Sequence, residues 1–233
     1  MGWIAGVDGC PGGWFRVCRE TQSGQLRFDL VDDVRALLSQ APHPTVVALD
    51  MPIGLPEAHD RACDKAARQA IGKRKSSVFT VPVRATLKAT DREEASALTQ
   101  AADGRKLSVQ TWGIFPKICS VDAAMADDPA FRAAVCEVHP EVSFWAWNQG
   151  RAMEHPKKKG GLPERLALAR AWLGQDILRQ ARGPHLKKHL ADDDILDAIA
   201  CLWTAQRISE GRAQSFPESP PLDATGLPMQ IVF

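Results

Sequence analysis

The chain has 233 residues, 45% of them hydrophobic and 24% charged, a length that suits one large domain and an ordinary globular balance. Lys plus Arg (29) nearly cancels Asp plus Glu (28), so overall charge argues for neither nucleic acid nor an anionic membrane, and any basic patch must be local. No apolar run reaches transmembrane length, no basic-then-apolar leader opens the chain, and the six cysteines are scattered without zinc-site spacing, which together predict a reduced, cytoplasmic protein.

The chain opens with a short apolar run, Trp3 to Val7, closed by Asp8. The Pro/Gly cluster from Gly9 to Gly13 separates it from a second strand-like run, Trp14 to Cys18, which is a hairpin signal. A third strand is expected over Leu26 to Val31, then a short helix over Val34 to Leu38 behind Asp32 and Asp33. Thr45 to Leu49 is apolar on both faces, as a central strand covered on both sides should be. It ends in Asp50, and Pro52 and Gly54 stop it. These elements predict an α/β fold with a mixed sheet flanked by helices.

Residues 55–130 break the strand–helix alternation and read as a largely helical insertion after the fourth strand, closing over the active-site end of a single domain. Helices are expected over Asp60 to Ile71, over Arg92 to Ala102 and after Pro116, with a basic loop from Gly72 to Ser77. Val135 to His139 reads as another strand, residues 151–161 as a mobile basic loop, and about Pro163 to Leu173 as a helix with proline in its first turn. A last helix runs from about Asp193 to Ser209, and the apolar end Met229 to Phe233 should dock on the body.

Asp8 and Asp50 each close an apolar strand before a Pro/Gly turn. Aspartate also caps such turns, but two parallel neighbours would bring both carboxylates to one sheet edge, where α/β proteins place their functional crevice. Capping and the helix dipole account for Asp192, Asp193 and Asp194. They do not account for Asp197, which sits among Leu196, Ala198 and Ile199 and needs a partner. A divalent ion shared with Asp194, three residues earlier on the same face, is one solution; Arg61 or Arg68 is the other. Glu137 and His139 share a strand face. They could add a fourth carboxylate and a proton donor, or form a buried hydrogen-bonded pair.

These motifs resemble the family known as domain of unknown function 429, described as predicted ribonuclease H-like nucleases. The resemblance rests on Gly6-Val7-Asp8-Gly9-Cys10-Pro11-Gly12-Gly13-Trp14, Asp50-Met51-Pro52-Ile53-Gly54-Leu55-Pro56, Arg61-Ala62-Cys63-Asp64 with Ala67-Arg68, and Ser76-Ser77-Val78-Phe79 with Pro82 and Arg84. It extends through Gln110-Thr111-Trp112-Gly113-Ile114 with Pro116-Lys117-Ile118, Glu137-Val138-His139-Pro140-Glu141 and Asp194-Ile195-Leu196-Asp197-Ala198. The last block is also similar to the Asp-x-x-Asp-Ala helix of Holliday-junction resolvases. The resemblance implies a ribonuclease H-like sheet and Asp8, Asp50, Asp194 and Asp197 as ligands of Mg²⁺ or Mn²⁺. The blocks also contain Arg61, Asp64, Arg68, Arg84, Gln110 and Lys117. Their chemistry suits a phosphate-binding rim over the metal site; the structural alternative is an ion-pair network, such as Asp64 with Arg68, stitching the insertion to the core.

The expected activity is hydrolysis of a phosphodiester in DNA or RNA by metal-activated water, two ions about 3.5–4 Å apart clamping the attacking and leaving oxygens. Asp8 would bridge them, with Asp50 on one side and Asp194 or Asp197 on the other. A phosphotransferase of the sugar-kinase and actin type is the alternative, its Gly12-Gly13 turn cradling nucleotide phosphate, although that architecture repeats its fold and no repeat is visible here. A non-catalytic binding module on the same fold is the third reading, against which all the acids are retained. The lysine runs at Lys73 to Lys75 and Lys157 to Lys159 could track phosphates or be solvated loops.

Overall fold

Along the first strand, successive side chains serve two different cores. In the computed structural model, which describes residues 2–233, β1 (Trp3–Cys10) pairs antiparallel with β2 (Gly13–Glu20), and β2 antiparallel with β3 (Leu26–Val31). After a short α1 (Ala36–Ser39), β4 (Pro44–Asp50) lies parallel to β1 on its other side, and β5 (Val135–Glu137) lies parallel to β4. The sheet order is β3-β2-β1-β4-β5. Period-two alternation sends Ile4 and Ala48 to one face, and Ala5, Val7, Val47 and Leu49 to the other. Both central strands are therefore apolar on both faces up to Asp8 and Asp50, as the sequence predicts for β4.

The first face is covered by α9 (Asp192–Ser209), which packs across β1 and β4, with α6 (Pro140–Trp147), α7 (Leu162–Leu173) and α8 (Ile177–Arg182) around it. Gly6 permits that contact. A Cβ there would lie 2.0 Å from Leu202 N and 2.2 Å from Ala198 O, so only glycine lets the helix backbone rest on the strand. The opposite face packs on Ile118, Val121 and Met125 of α4 (Val109–Asp127) and Phe131 of α5 (Pro129–Ala134).

Residues between β4 and β5 include α2 (Ala62–Ile71), 3-10 turns at Gly72–Ser77 and Arg84–Lys88, and α3 (Arg92–Asp103). The helix expected after Pro116 starts earlier, at Val109, with Pro116 inside it. Ser108 caps it, accepting the Thr111 N–H at 3.0 Å, and this cap overrides the preference of proline for a first turn. The strand expected through His139 stops at Glu137, because His139 caps α6. That helix is apolar nearly all round, so it shows no amphipathic period and the sequence reading missed it. The short α5 and α8 were missed for want of length.

The chain end does pack on the body. Strands β6 (Ser215–Phe216) and β7 (Ile231–Val232) pair, and Ile231 and Phe233 are buried against Cys63, Ala67 and Ile71 of α2. The six cysteines are free. Among the described residues, no helix is long and apolar enough to cross a membrane.

Candidate metal centre

Asp8 and Asp50 end adjacent parallel strands in direct register, so their carboxylates emerge side by side at the carboxyl edge of the sheet. Both follow the phase of Gly6 and Ala48, which face α9. Asp197 stands a turn inside that helix, one position from Ala198, whose backbone touches Gly6. Oxygens of Asp8, Asp50 and Asp197 all lie within 4.8 Å of one another. Asp8 is 7% and Asp197 2% exposed, at the base of a pocket of about 240 Å³.

The three acids repel one another in a poorly solvated place. Burial raises the Asp8 carboxyl well above the ordinary range, and Asp50 and then Asp197 raise it further. Asp50 is pushed up to about 7, by burial and then by Asp197. Asp197 is pushed up to about 6 by burial, with Lys157 as the main opposing influence. Lys157 is the only salt-bridge partner of the three among the described residues, and it bonds Asp197. Its own burial disfavours the ammonium, yet Asp197 and Asp8 raise its pKa.

The sequence offered Arg61 or Arg68 as partners for Asp197; Lys157 takes that place. It comes from the loop expected to be mobile, which is tied down instead. Glu164 accepts the Glu154 and His155 N–H groups, each at 2.8 Å, and Arg165 donates to His155 O at 3.1 Å and to Gly161 O at 2.7 Å. Gly161 is required for this wrap, since a Cβ there would lie 2.4 Å from His155 O. A run of three lysines gives no clue as to which one turns inward, so only the fold identifies Lys157.

The remaining predicted residues separate into groups. Asp194 lines the pocket but stands outside the three-acid set; its carboxylate accepts the Ala191 N–H at 2.8 Å and so caps α9. Burial raises its pKa, with the Ala191 N–H opposing. Glu137 is buried at the pocket edge and held by Arg61, with contacts of 2.6 Å to each of its oxygens, and by the Ile53 N–H at 2.7 Å. Burial pushes Glu137 up to about 7 against the pull of Arg61. His139 accepts the Glu141 N–H at Nδ1 (3.2 Å), which leaves Nε2–H to donate to Ser77 O (3.3 Å). Burial holds its pKa below the ordinary value, and both ring nitrogens are engaged.

Arg61 and Asp64 are buried and joined by contacts of 2.8 and 3.0 Å. The pairing anticipated between Asp64 and Arg68 does not form: Arg68 bonds Asp60 at 2.7 Å. Arg84 bonds Asp122 and Asp223. Lys117 donates to Gly13 O at 2.7 Å and sits 4.5 Å from the centre of the Trp14 ring. Gln110 lines a second cavity adjoining the acids. The sequence left a phosphate-binding rim and an ion-pair network open for these six; Arg61, Asp64, Arg68 and Arg84 are held in ion pairs, Lys117 bonds a backbone carbonyl, and Gln110 lines the cavity.

The model of a family described as a protein of unknown function (DUF429) matches residues 6–222. No curated protein and no solved structure matches the chain.

Proposed function

The chain belongs to the DUF429 family, and from that premise we propose that it is a divalent-metal-dependent phosphodiester hydrolase, a nuclease, built on a ribonuclease H-like sheet. The observation that carries this reading is the convergence of Asp8, Asp50 and Asp197 from two strands and a helix to within 4.8 Å. The mixed five-stranded sheet flanked by helices supports the fold part of the reading.

The donor set fits the ion. Carboxylate oxygens are hard ligands suited to Mg²⁺ or Mn²⁺. Three crowded, buried carboxyls share one ammonium and so favour protonation, and a divalent ion would take the place of those protons. Asp8, Asp50 and Asp197 would hold the metal, with Asp194 beside them. When bound, a divalent ion supplies Lewis acidity towards the phosphoryl oxygens and lowers the pKa of water.

The chain's own groups set the surroundings. Lys157 removes one unit of charge from Asp197 and offers a cation beside the position of an incoming phosphate. Val81 and Ile114 add apolar surface to the pocket wall. Arg61 engages both oxygens of Glu137. The phosphotransferase alternative loses support at its key turn, because the Gly12 N–H is already bonded to His189 O at 2.8 Å.

The test is a cleavage screen of single-stranded, duplex and junction DNA and RNA with Mg²⁺ and Mn²⁺. Wild type should cut at least one of these, and Asp50→Asn should abolish cutting while keeping the fold by circular dichroism. Equal cleavage rates for the two proteins would overturn the assignment.

A further inference from the structure

A second cavity of about 590 Å³ opens directly from the acid pocket, and Asp50, Phe79, Lys157, Lys158 and Asp197 are among the residues that line both. It is the more basic of the two: beyond the shared residues its charged lining is Arg74 and Arg165 against Glu141, whereas the acid pocket adds Asp8, Asp193 and Asp194. Arg74 lines it from the 3-10 turn Gly72–Ser77, and Lys158 from the separate loop that carries Lys157. Most basic side chains near the site are spoken for: Arg61, Arg68, Lys73, Lys157 and Arg165 all form salt bridges. Arg74 and Lys158 form none among the described residues, and the buried Nε of Arg74 has no hydrogen-bond partner. Ser76, Ser77 and Gln110 complete a polar lining. At the junction of the two cavities stands the half-buried ring of Phe79.

We propose that this groove is a strand-binding subsite, in which Arg74 and Lys158 hold the phosphate next to the one at the acids and Phe79 stacks the base between them, so that the substrate is single-stranded nucleic acid. The proposal rests on the hydrolase reading for what happens at the acids, but not for the binding itself. An acid-lined pocket repels phosphate, and an adjoining basic groove supplies the attraction that brings a polyanion there. An aromatic face beside a basic track is how strands are held without regard to sequence.

Depth selects the strand state. Asp8 and Asp197 are almost wholly covered. A duplex is stiff over about 50 nm and carries its phosphates on the outside of a rod, so it cannot lower one phosphate to the floor of a pocket of about 240 Å³. A flexible single strand can, by unstacking one base onto Phe79.

The experiment measures binding of labelled oligothymidylate and oligouridylate to the full-length Asp50→Asn protein in Mg²⁺, across a salt series. A matched duplex and a thymidine mononucleotide serve as comparisons. The oligomers should bind more tightly than either. Each phosphate contact on a single strand contributes about −0.7 to the slope of log K against log salt. Arg74→Ala with Lys158→Ala gives up the one phosphate they hold and should therefore flatten the slope by about 0.7. Phe79→Leu keeps apolar bulk but loses the stacking face, and it should weaken binding about tenfold with the slope unchanged. An unaltered slope in the double variant, or a duplex bound as tightly as a strand, overturns the subsite. Strand binding that shows these effects, in a wild-type protein that cuts no phosphodiester, would instead sink the hydrolase reading and leave the subsite standing. Wild-type cleavage unaffected by the double variant would do the opposite.

Discussion

Two buried clusters of charge lie side by side at the carboxyl edge of the sheet, and they are built on opposite principles. In the first, Arg61 sits between Asp64 and Glu137 and donates from all three guanidinium nitrogens to their carboxylates, with further bonds to Ile53 O and Gly54 O. In the second, Asp8, Asp50 and Asp197 share the single ammonium of Lys157. Burial disfavours ionisation in both. After burial, the strongest influence on Glu137 is attraction to Arg61, whereas on Asp8 it is repulsion from Asp50. A cluster whose charges are already bonded is architecture. A cluster whose charges repel is an invitation to an external cation.

The largest effect should come from breaking the bonded cluster. Arg61→Met leaves Asp64 and Glu137 buried without their partner, and removing one side of a buried pair typically costs about 3–5 kcal/mol. Urea denaturation should show that loss, and Mg²⁺ should not restore it, because the bonds lost are those of Arg61 to Asp64 and Glu137, neither of which is one of the three acids. Recovery of wild-type stability on adding Mg²⁺ would mean that the two clusters are one site.

Gly6→Ala comes next. It pushes a methyl into the backbone of Leu202 and Ala198, at the ~1–3 kcal/mol usual for overpacking. It should also weaken any Mn²⁺-induced rise in melting temperature, because Asp197 is carried away from Asp8 with the helix. A full Mn²⁺ response in this variant would show that the gap between strand and helix does not set the site.

The most diagnostic change is made at the acids themselves. Asp50→Asn removes a repelling charge, so the metal-free protein should melt higher, by about 2–4 °C for each kcal/mol at this chain length. It should also lose its thermal response to Mn²⁺. The pH dependence has a definite sign. With Asp50 raised to about 7, the folded chain keeps a proton that the unfolded chain has released once the pH exceeds about 4. Stability contributed by this group therefore falls as pH rises from about 4 to about 7. The advantage of Asp50→Asn over wild type should be small near the acid end, widen towards neutrality and then level off. An advantage that shrinks with rising pH would contradict the repulsion described here.

Much of this was readable before any coordinates. An apolar strand ending in Asp before a Pro/Gly turn, met twice, located Asp8 and Asp50, and a carboxylate among Leu196, Ala198 and Ile199 located Asp197. The hairpin and the two-sided β4 followed from turn chemistry and period. What stayed hidden depends on partners distant in sequence. Nothing in Lys157-Lys158-Lys159 distinguishes the residue that enters the acids from the one that lines the groove. Arg61, Arg68 and Arg84 look alike as free cations until their carboxylates are seen, and α6 hides because burial on all sides erases its period. The Ala191 N–H that occupies Asp194 belongs to capping geometry, which the sequence reading recognised while still counting Asp194 among the ligands.

The contact at Gly6 has a consequence for how this protein can change. Strand and helix meet there main chain against main chain, so no exchange of core side chains can widen or narrow the distance from Asp8 to Asp197. Methyl groups may drift elsewhere on that face without altering the spacing of these two oxygen donors. Adjustment for a larger or smaller ion is left to the flanks, to Asp50 on its own strand and to the tether that delivers Lys157.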